Sequence, residues 1–200
     1  MAGKTRQRIM DAAIACYTER GVAATTVEHL RERSGASTGS IYHHFGSKEE
    51  LAVAVYTDGL MDYQSSAIDA LERATDARGA VVGVVRNHLA WVEANPELAK
   101  FLLDTRQAEY MGNAEDGIKA KNKDFVRRVV TWIRAAVDAG ELREMPLDLY
   151  LPLLLGPCHE FVRHYLAGRM RTSLSEAADG LAEAAWRSLS PKTLESPNDR

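Results

Sequence analysis

The side chains most able to do chemistry lie between Thr26 and Lys48, where hydroxyls, imidazoles and a phenol are closely spaced. Ser37, Thr38, Ser40 and Tyr42 offer O–H groups, and His43 and His44 offer ring nitrogens. Gly39 leaves room for close approach. Such groups donate hydrogen bonds to phosphate oxygens and base edges. Other constellations fail on geometry. His159 and His164 bracket a glutamate, but they fall at i, i+5, whereas a helix needs i, i+4 to bring two histidines to one zinc ion. Cys158 and His159 are adjacent, so their side chains diverge by about 100° on a helix and cannot form a nucleophile–base pair. No glycine-rich phosphate loop is present. The residue types therefore point to binding, with no cofactor, no metal and no enzyme activity expected.

The elements that must position these groups are short helices. Thr25 precedes Glu28 by three residues, the spacing of a capping box, so Thr25 or Thr26 starts a helix with Val27 and Leu30 inward. Ser34-Gly35 ends it, glycine supplying the left-handed stop. Ser37 caps a second helix over Thr38 to Phe45, with Ile41 and Phe45 inward at i, i+4 and the polar residues left outside. Ser47 and Glu50 form a further box before a long helix. This is the build of a helix-turn-helix, whose second helix enters the DNA major groove. The plainer alternative is a helical hairpin with a solvated polar face. Lys48, in a first turn, opposes its own helix dipole, which a nearby phosphate would explain. Upstream, Lys4 to Arg20 is amphipathic with Ile9, Ala13, Cys16 and Tyr17 inward. Gly21 closes it, and Lys4, Arg6 and Arg8 lie ready for the DNA backbone or fray as a basic terminus.

The run from Gly35 to Leu51, GASTGSIYHHFGSKEEL, resembles the signature of the TetR family of bacterial transcription regulators. Thr25-Thr26-Val27 and the preceding helix match that family too. The resemblance covers about the first quarter of the chain, and the rest agrees in length and helical character. It implies phosphate contacts at Thr26, Ser37, Tyr42, His43, His44 and Lys48, and approach to bases at Thr38, Gly39 and Ser40. Arg31 and Ser34 stand where the family usually has alanine, and position 38 is often lysine. The expected partners are double-stranded operator DNA, a small-molecule effector and a second copy of the chain. A ligand-responsive activator is the nearest alternative to a repressor. A helical enzyme or carrier with a structural head is the more distant one.

Composition agrees. Two hundred residues, 46% of them hydrophobic, suit one or two domains with a real core. Residues 1–48 hold seven basic and four acidic side chains, leaving 18 basic and 24 acidic for the rest, a basic head on an acidic body. Two scattered cysteines exclude a disulfide framework. Neither a signal peptide nor a membrane span is expected, which places the protein in the cytoplasm.

The whole chain reads as all-α: a helix-turn-helix domain over 1–50, a helical sensing and dimerisation domain over 51–190, and a disordered tail over 191–200. Helices are expected over Lys48–Arg73, Thr75–Ala94, a short stretch after Asn95-Pro96, Glu115–Ala139, Pro146–Ala167 and from Ser173. Asp104 to Gly117 reads as a loop. Effector contacts are expected among His88, Trp91, Phe101, Tyr110, Asn122, Phe125 and Trp132, aromatic and polar groups in the middle helices. The last two helices are apolar over more than one face. Leu154, Cys158, Phe161, Tyr165, Leu181 and Ala185 are the expected dimer surface, as in a four-helix bundle.

Overall fold

The computed structural model describes residues 2–105 and 115–191. Among them no strand occurs, and the helices are α1 (Ala2–Ala24), α2 (Val27–Ser34), α3 (Thr38–His44), α4 (Lys48–Glu72), α5 (Ala77–Ala94), α6 (Pro96–Thr105), α7 (Glu115–Asp138), α8 (Tyr150–Leu166) and α9 (Leu174–Leu189). The all-α expectation holds. Tyr110 and the tail beyond Pro191 lie outside the described residues. Of the loop expected over 104–117, residues 104–105 are helical in α6 and 115–117 in α7, and 106–114 lie outside the described residues. Lys100 reaches Asp104 one turn on, an i, i+4 pair that supports the last turn of α6.

By internal contact the chain divides into two units, 1–63 with 95–122, and 64–94 with 123–200. The first unit is built on the stripe expected of α1. Ile9 and Ala13 are wholly buried, and Cys16 and Tyr17 nearly so. They meet Leu30 of α2, Ile41 and Phe45 at the end of α3, Leu51, Ala52 and Val55 of α4, and Phe101 of α6. Tyr17 stacks on Phe101 at 5.6 Å between centroids, and its hydroxyl donates to the Lys48 carbonyl at 2.8 Å. Phe101, expected among effector contacts, is thus part of this core.

In the second unit, α5 buries Val81, Val85, His88 and Val92, which share one face at i, i+4, i+7 and i+11, and packs on α8 and α9. The N-terminus of α5 is closed by Asp76, which accepts from Gly79 N at 2.6 Å, and by Glu141, which accepts from Ala77 N at 2.9 Å. Pro152 falls in the first turn of α8, where its missing N–H costs nothing, and the helix runs on through Pro157. Ser173, where the last helix was expected to begin, forms a capping box with Glu176 at the start of α9. Gly140 ends α7 at φ +72°. On α7, Arg127 pairs with Asp124 and Arg128 with Glu72.

Cys158 and Ala185, named for the dimer surface, are 1% and 2% exposed and turned into this unit's own core. Leu154, Phe161, Tyr165 and Leu181 remain part-exposed. Burial pushes the Cys158 thiol up to about 11, the behaviour of an inert small hydrophobe.

His88 lies edge-on to His159, centroids 5.1 Å apart. Burial first, and repulsion by His159 second, lower its pKa from 6.5 to about 3. The folded protein therefore refuses a proton that the unfolded chain accepts once the pH drops below 6.5. Stability is complete above pH 6.5 and falls as pH descends toward 3, by up to about 1.4 kcal/mol per pH unit. Urea unfolding at pH 7 and pH 4.5 checks this. The acid loss should be smaller in a His88→Gln variant than in the parent.

Candidate nucleic-acid interface

Local chemistry sets the three helices of the head. Gly21 at φ +77° breaks α1, and the chain turns so that Thr25 is fully buried. The Thr25 hydroxyl donates to Gly21 O at 2.8 Å. Thr26, one residue later, is the N-cap of α2. Its Oγ accepts from His29 N at 3.3 Å, and His29 Nδ1 accepts from Thr26 N at 3.2 Å. The capping box is therefore Thr26 with His29, not Thr25 with Glu28. Glu28 is taken by Arg31, whose guanidinium hydrogen bonds hold its carboxyl below the usual range. Gly35 closes α2 at φ +64°, with its N–H on Arg31 O at 2.9 Å.

Ser37 caps α3, its Oγ accepting from Ser40 N at 3.2 Å. Ile41 and Phe45 are 3% and 6% exposed and hold the helix down. Everything polar on it faces out: Thr38, Gly39, Tyr42 and His43 are exposed, Ser40 and His44 partly so. The Tyr42 ring is 51% exposed, and the His43 and His44 rings meet edge-on at 5.5 Å. The nine residues singled out for DNA therefore include seven, Ser37–Ser40 and Tyr42–His44, brought together on one short rod. Thr26 is exposed at the start of α2.

Lys48 is different. Its ammonium donates to Ala23 O at 2.8 Å and Thr25 O at 3.1 Å, closing the turn that ends α1. Its place at a helix N-terminus needs no phosphate to explain it. The same holds for two arginines expected at the DNA backbone. Arg6 donates twice to Asp58 at 3.0 Å and lies over the Phe45 ring. Arg8 donates to Ser34 O. Arg31 and Arg20 pair with Glu28 and Glu19, and Arg33 with Glu19. Of the seven basic side chains in residues 1–48, six are thus engaged within the head. The face of α3 is one of hydroxyls, imidazoles and a phenol, not of free cations. The capping role of His29 and the tie from Arg8 to Ser34 O escaped sequence reasoning. His29 could have been found by testing Thr26 as the cap, whereas nothing local marks Arg8.

Six of the residues expected to meet an effector are described. His88 and Trp91 are buried on α5, Phe101 is in the head core, and Asn122, Phe125 and Trp132 are half-buried on α7. A cleft of about 520 Å³ lies elsewhere, between α5 and α9, lined by charged residues such as Arg78, Arg86, Asp179 and Glu183. Among the described residues no His, Cys, Asp and Glu are grouped as a metal would need, and no helix is long and apolar enough to cross a membrane.

A capped two-helix reader on a third helix, with its polar rod outward, defines a helix-turn-helix DNA-binding head. Residues 9–55 match the family described as bacterial regulatory proteins, tetR family. The chain is 28% identical over 189 residues to the HTH-type transcriptional repressor AcnR of Corynebacterium efficiens, covering 92% of this chain and 93% of that one. Its fold is that of a TetR family transcription regulator from Marinobacter aquaeolei VT8 (TM-score 0.81, 19% identity, 94% and 96% of the two chains). It is also that of the regulator FadR from Bacillus subtilis, solved with stearoyl-CoA (TM-score 0.74, 17% identity, 90% and 96%). The chain is thus similar over nearly its whole length to a transcriptional repressor, and its head matches the tetR family model. The relatives it resembles are transcriptional repressors, not enzymes.

Proposed function

We propose that the chain acts in the cytoplasm as a homodimeric repressor that holds a palindromic operator and is released by a small, partly hydrophobic ligand. The observation that carries this is the rod Thr38–His44, whose polar side is wholly outward while Ile41 and Phe45 anchor it. One rod of seven residues reads few bases. Two, set about 34–36 Å apart on successive major grooves, read a palindrome, and that demands a second copy. Residues 1–50 bind DNA in this reading, and 51–190 sense ligand and dimerise. The part-exposed Leu154, Phe161, Tyr165 and Leu181 support pairing through α8 and α9. Stearoyl-CoA in the FadR relative supports an effector with a hydrophobic portion. Release requires that ligand bind the DNA-free state more tightly, since the coupling is reciprocal.

Selection of bound sequences from random duplex DNA tests the reading. The expected product is an inverted repeat whose complex dissociates as salt rises. A small-molecule screen against that complex then looks for release. Recovery of no sequence, or of a single asymmetric half-site bound by monomer, would refute it.

A further inference from the structure

We infer that Arg8 is a positioning residue for operator reading: from α1 it locks the turn between α2 and α3, and it does not bind phosphate. The inference rests on the DNA-binding reading above. The turn is three residues long, Gly35 to Ser37, and it alone joins the two helices of the reader. At the end of α2 the left-handed Gly35 turns the Ser34 carbonyl away from its helix, leaving an acceptor that needs a donor. Arg8 supplies it from another helix, Nε at 3.1 Å and Nη2 at 2.5 Å from Ser34 O. Its positive charge also sits at the negative end of α2. Ser34 completes the turn from inside, 6% exposed, its Oγ accepting from Ala36 N at 3.1 Å. Gly35 is needed for its positive φ, and a Cβ there would stand 3.0 Å from Arg8 Nη2, a tight contact that shows how closely the guanidinium lies on the turn. The guanidinium is seated on the turn.

This matters because α3 is poorly fixed by its own packing. It is seven residues long, and Ile41 is its one buried residue, with Phe45 just beyond its end. Two anchors on one line leave the rod free to roll about them. The direction in which Thr38, Ser40 and Tyr42 point is then set largely by the turn at its start, and Arg8 stiffens that turn. Loss of the tie should blur base reading while leaving phosphate attraction intact.

The experiment compares full-length parent, Arg8→Met and Arg8→Lys on the selected operator and on a scrambled duplex of equal length, across a salt series. Methionine keeps the apolar stem and removes both donors. Arg8→Met should lose operator affinity by about tenfold or more, the scale of a misread base pair. Affinity for the scrambled duplex and the slope against log salt should not change. Amide exchange at Gly35 and Ala36 should quicken. Lysine can give one donor to the carbonyl, so Arg8→Lys should lose only about threefold. If Arg8→Met does not fold by circular dichroism, the lysine variant carries the same test. Equal loss on both duplexes, with a slope flattened by about one unit per head, would make Arg8 a phosphate ligand and overturn the inference. So would unchanged operator affinity in either folded variant. A parent that prefers no sequence would instead bring down the DNA reading itself, and this inference with it.

Discussion

Replacing Leu30 with alanine is expected to destabilise the head by about 3 kcal/mol, within the range of buried Leu→Ala changes. Leu30 is 0% exposed and is the apolar side chain that α2 buries completely. It meets the α1 stripe of Ile9, Ala13 and Cys16, so its loss removes transfer energy and leaves a void at the centre of a three-helix core. An eight-residue helix has little stability of its own, so α2 holds only by packing and caps. Urea unfolding followed by circular dichroism measures the loss. Operator binding should weaken with it, because the reader unfolds along with α2. Val126→Ala, at a site 47% exposed on α7, is the matching control and should change stability by no more than about 0.5 kcal/mol.

Tyr42→Ala should do the reverse: leave the fold intact and remove binding. The Tyr42 side chain is half in solvent, about 100° round α3 from the buried Ile41, so truncation should cost about 0.5 kcal/mol or less. Phenols on a recognition helix give an O–H to phosphate or an edge to bases, and in a symmetric complex each is lost twice. At about 1–3 kcal/mol for each lost contact, the pair should weaken operator binding by roughly a hundredfold. Fluorescence anisotropy with labelled operator reads the loss, and the urea midpoint confirms the fold. A variant that bound operator like the parent would remove the main support for α3 as the reader. The engaged cations of the head sharpen the point. With Arg6, Arg8 and Lys48 tied inside, neutral donors such as this one carry more of the binding.

Several features were legible in sequence because they depend on neighbours within a few residues. Ser37 capping α3 and Gly35 at positive φ are both local, and each is where its residue type predicted. The inner faces of α1, α3 and α5 were legible for the same reason, since helical periodicity decides which side chains share a face before any partner is chosen. Where two local solutions competed, sequence could not choose. Thr25 with Glu28 and Thr26 with His29 differ by one residue, and glutamate is the commoner box partner. The burial of Thr25 beneath the Gly21 turn settled it, and that is a fact of packing.

Long side chains were the least legible. Arg6, Arg8 and Lys48 are charged, early and near the reader, which is all that sequence shows. Their partners Asp58, Ser34 O, Ala23 O and Thr25 O lie from 23 to 52 residues away. Likewise the apolar girth of α8 and α9 showed that both helices bury more than one face, but not which residues turn inward. Cys158 and Ala185 went to the chain's own core, while Leu154 and Phe161 stayed part-exposed. The sequence alone determined an all-helical chain with a capped reader and a polar rod, because caps and periodicity act over a few residues. Only the tertiary structure decided which cations are spent on internal ties and which apolar side chains stay at the surface, because those choices depend on where distant helices come to rest.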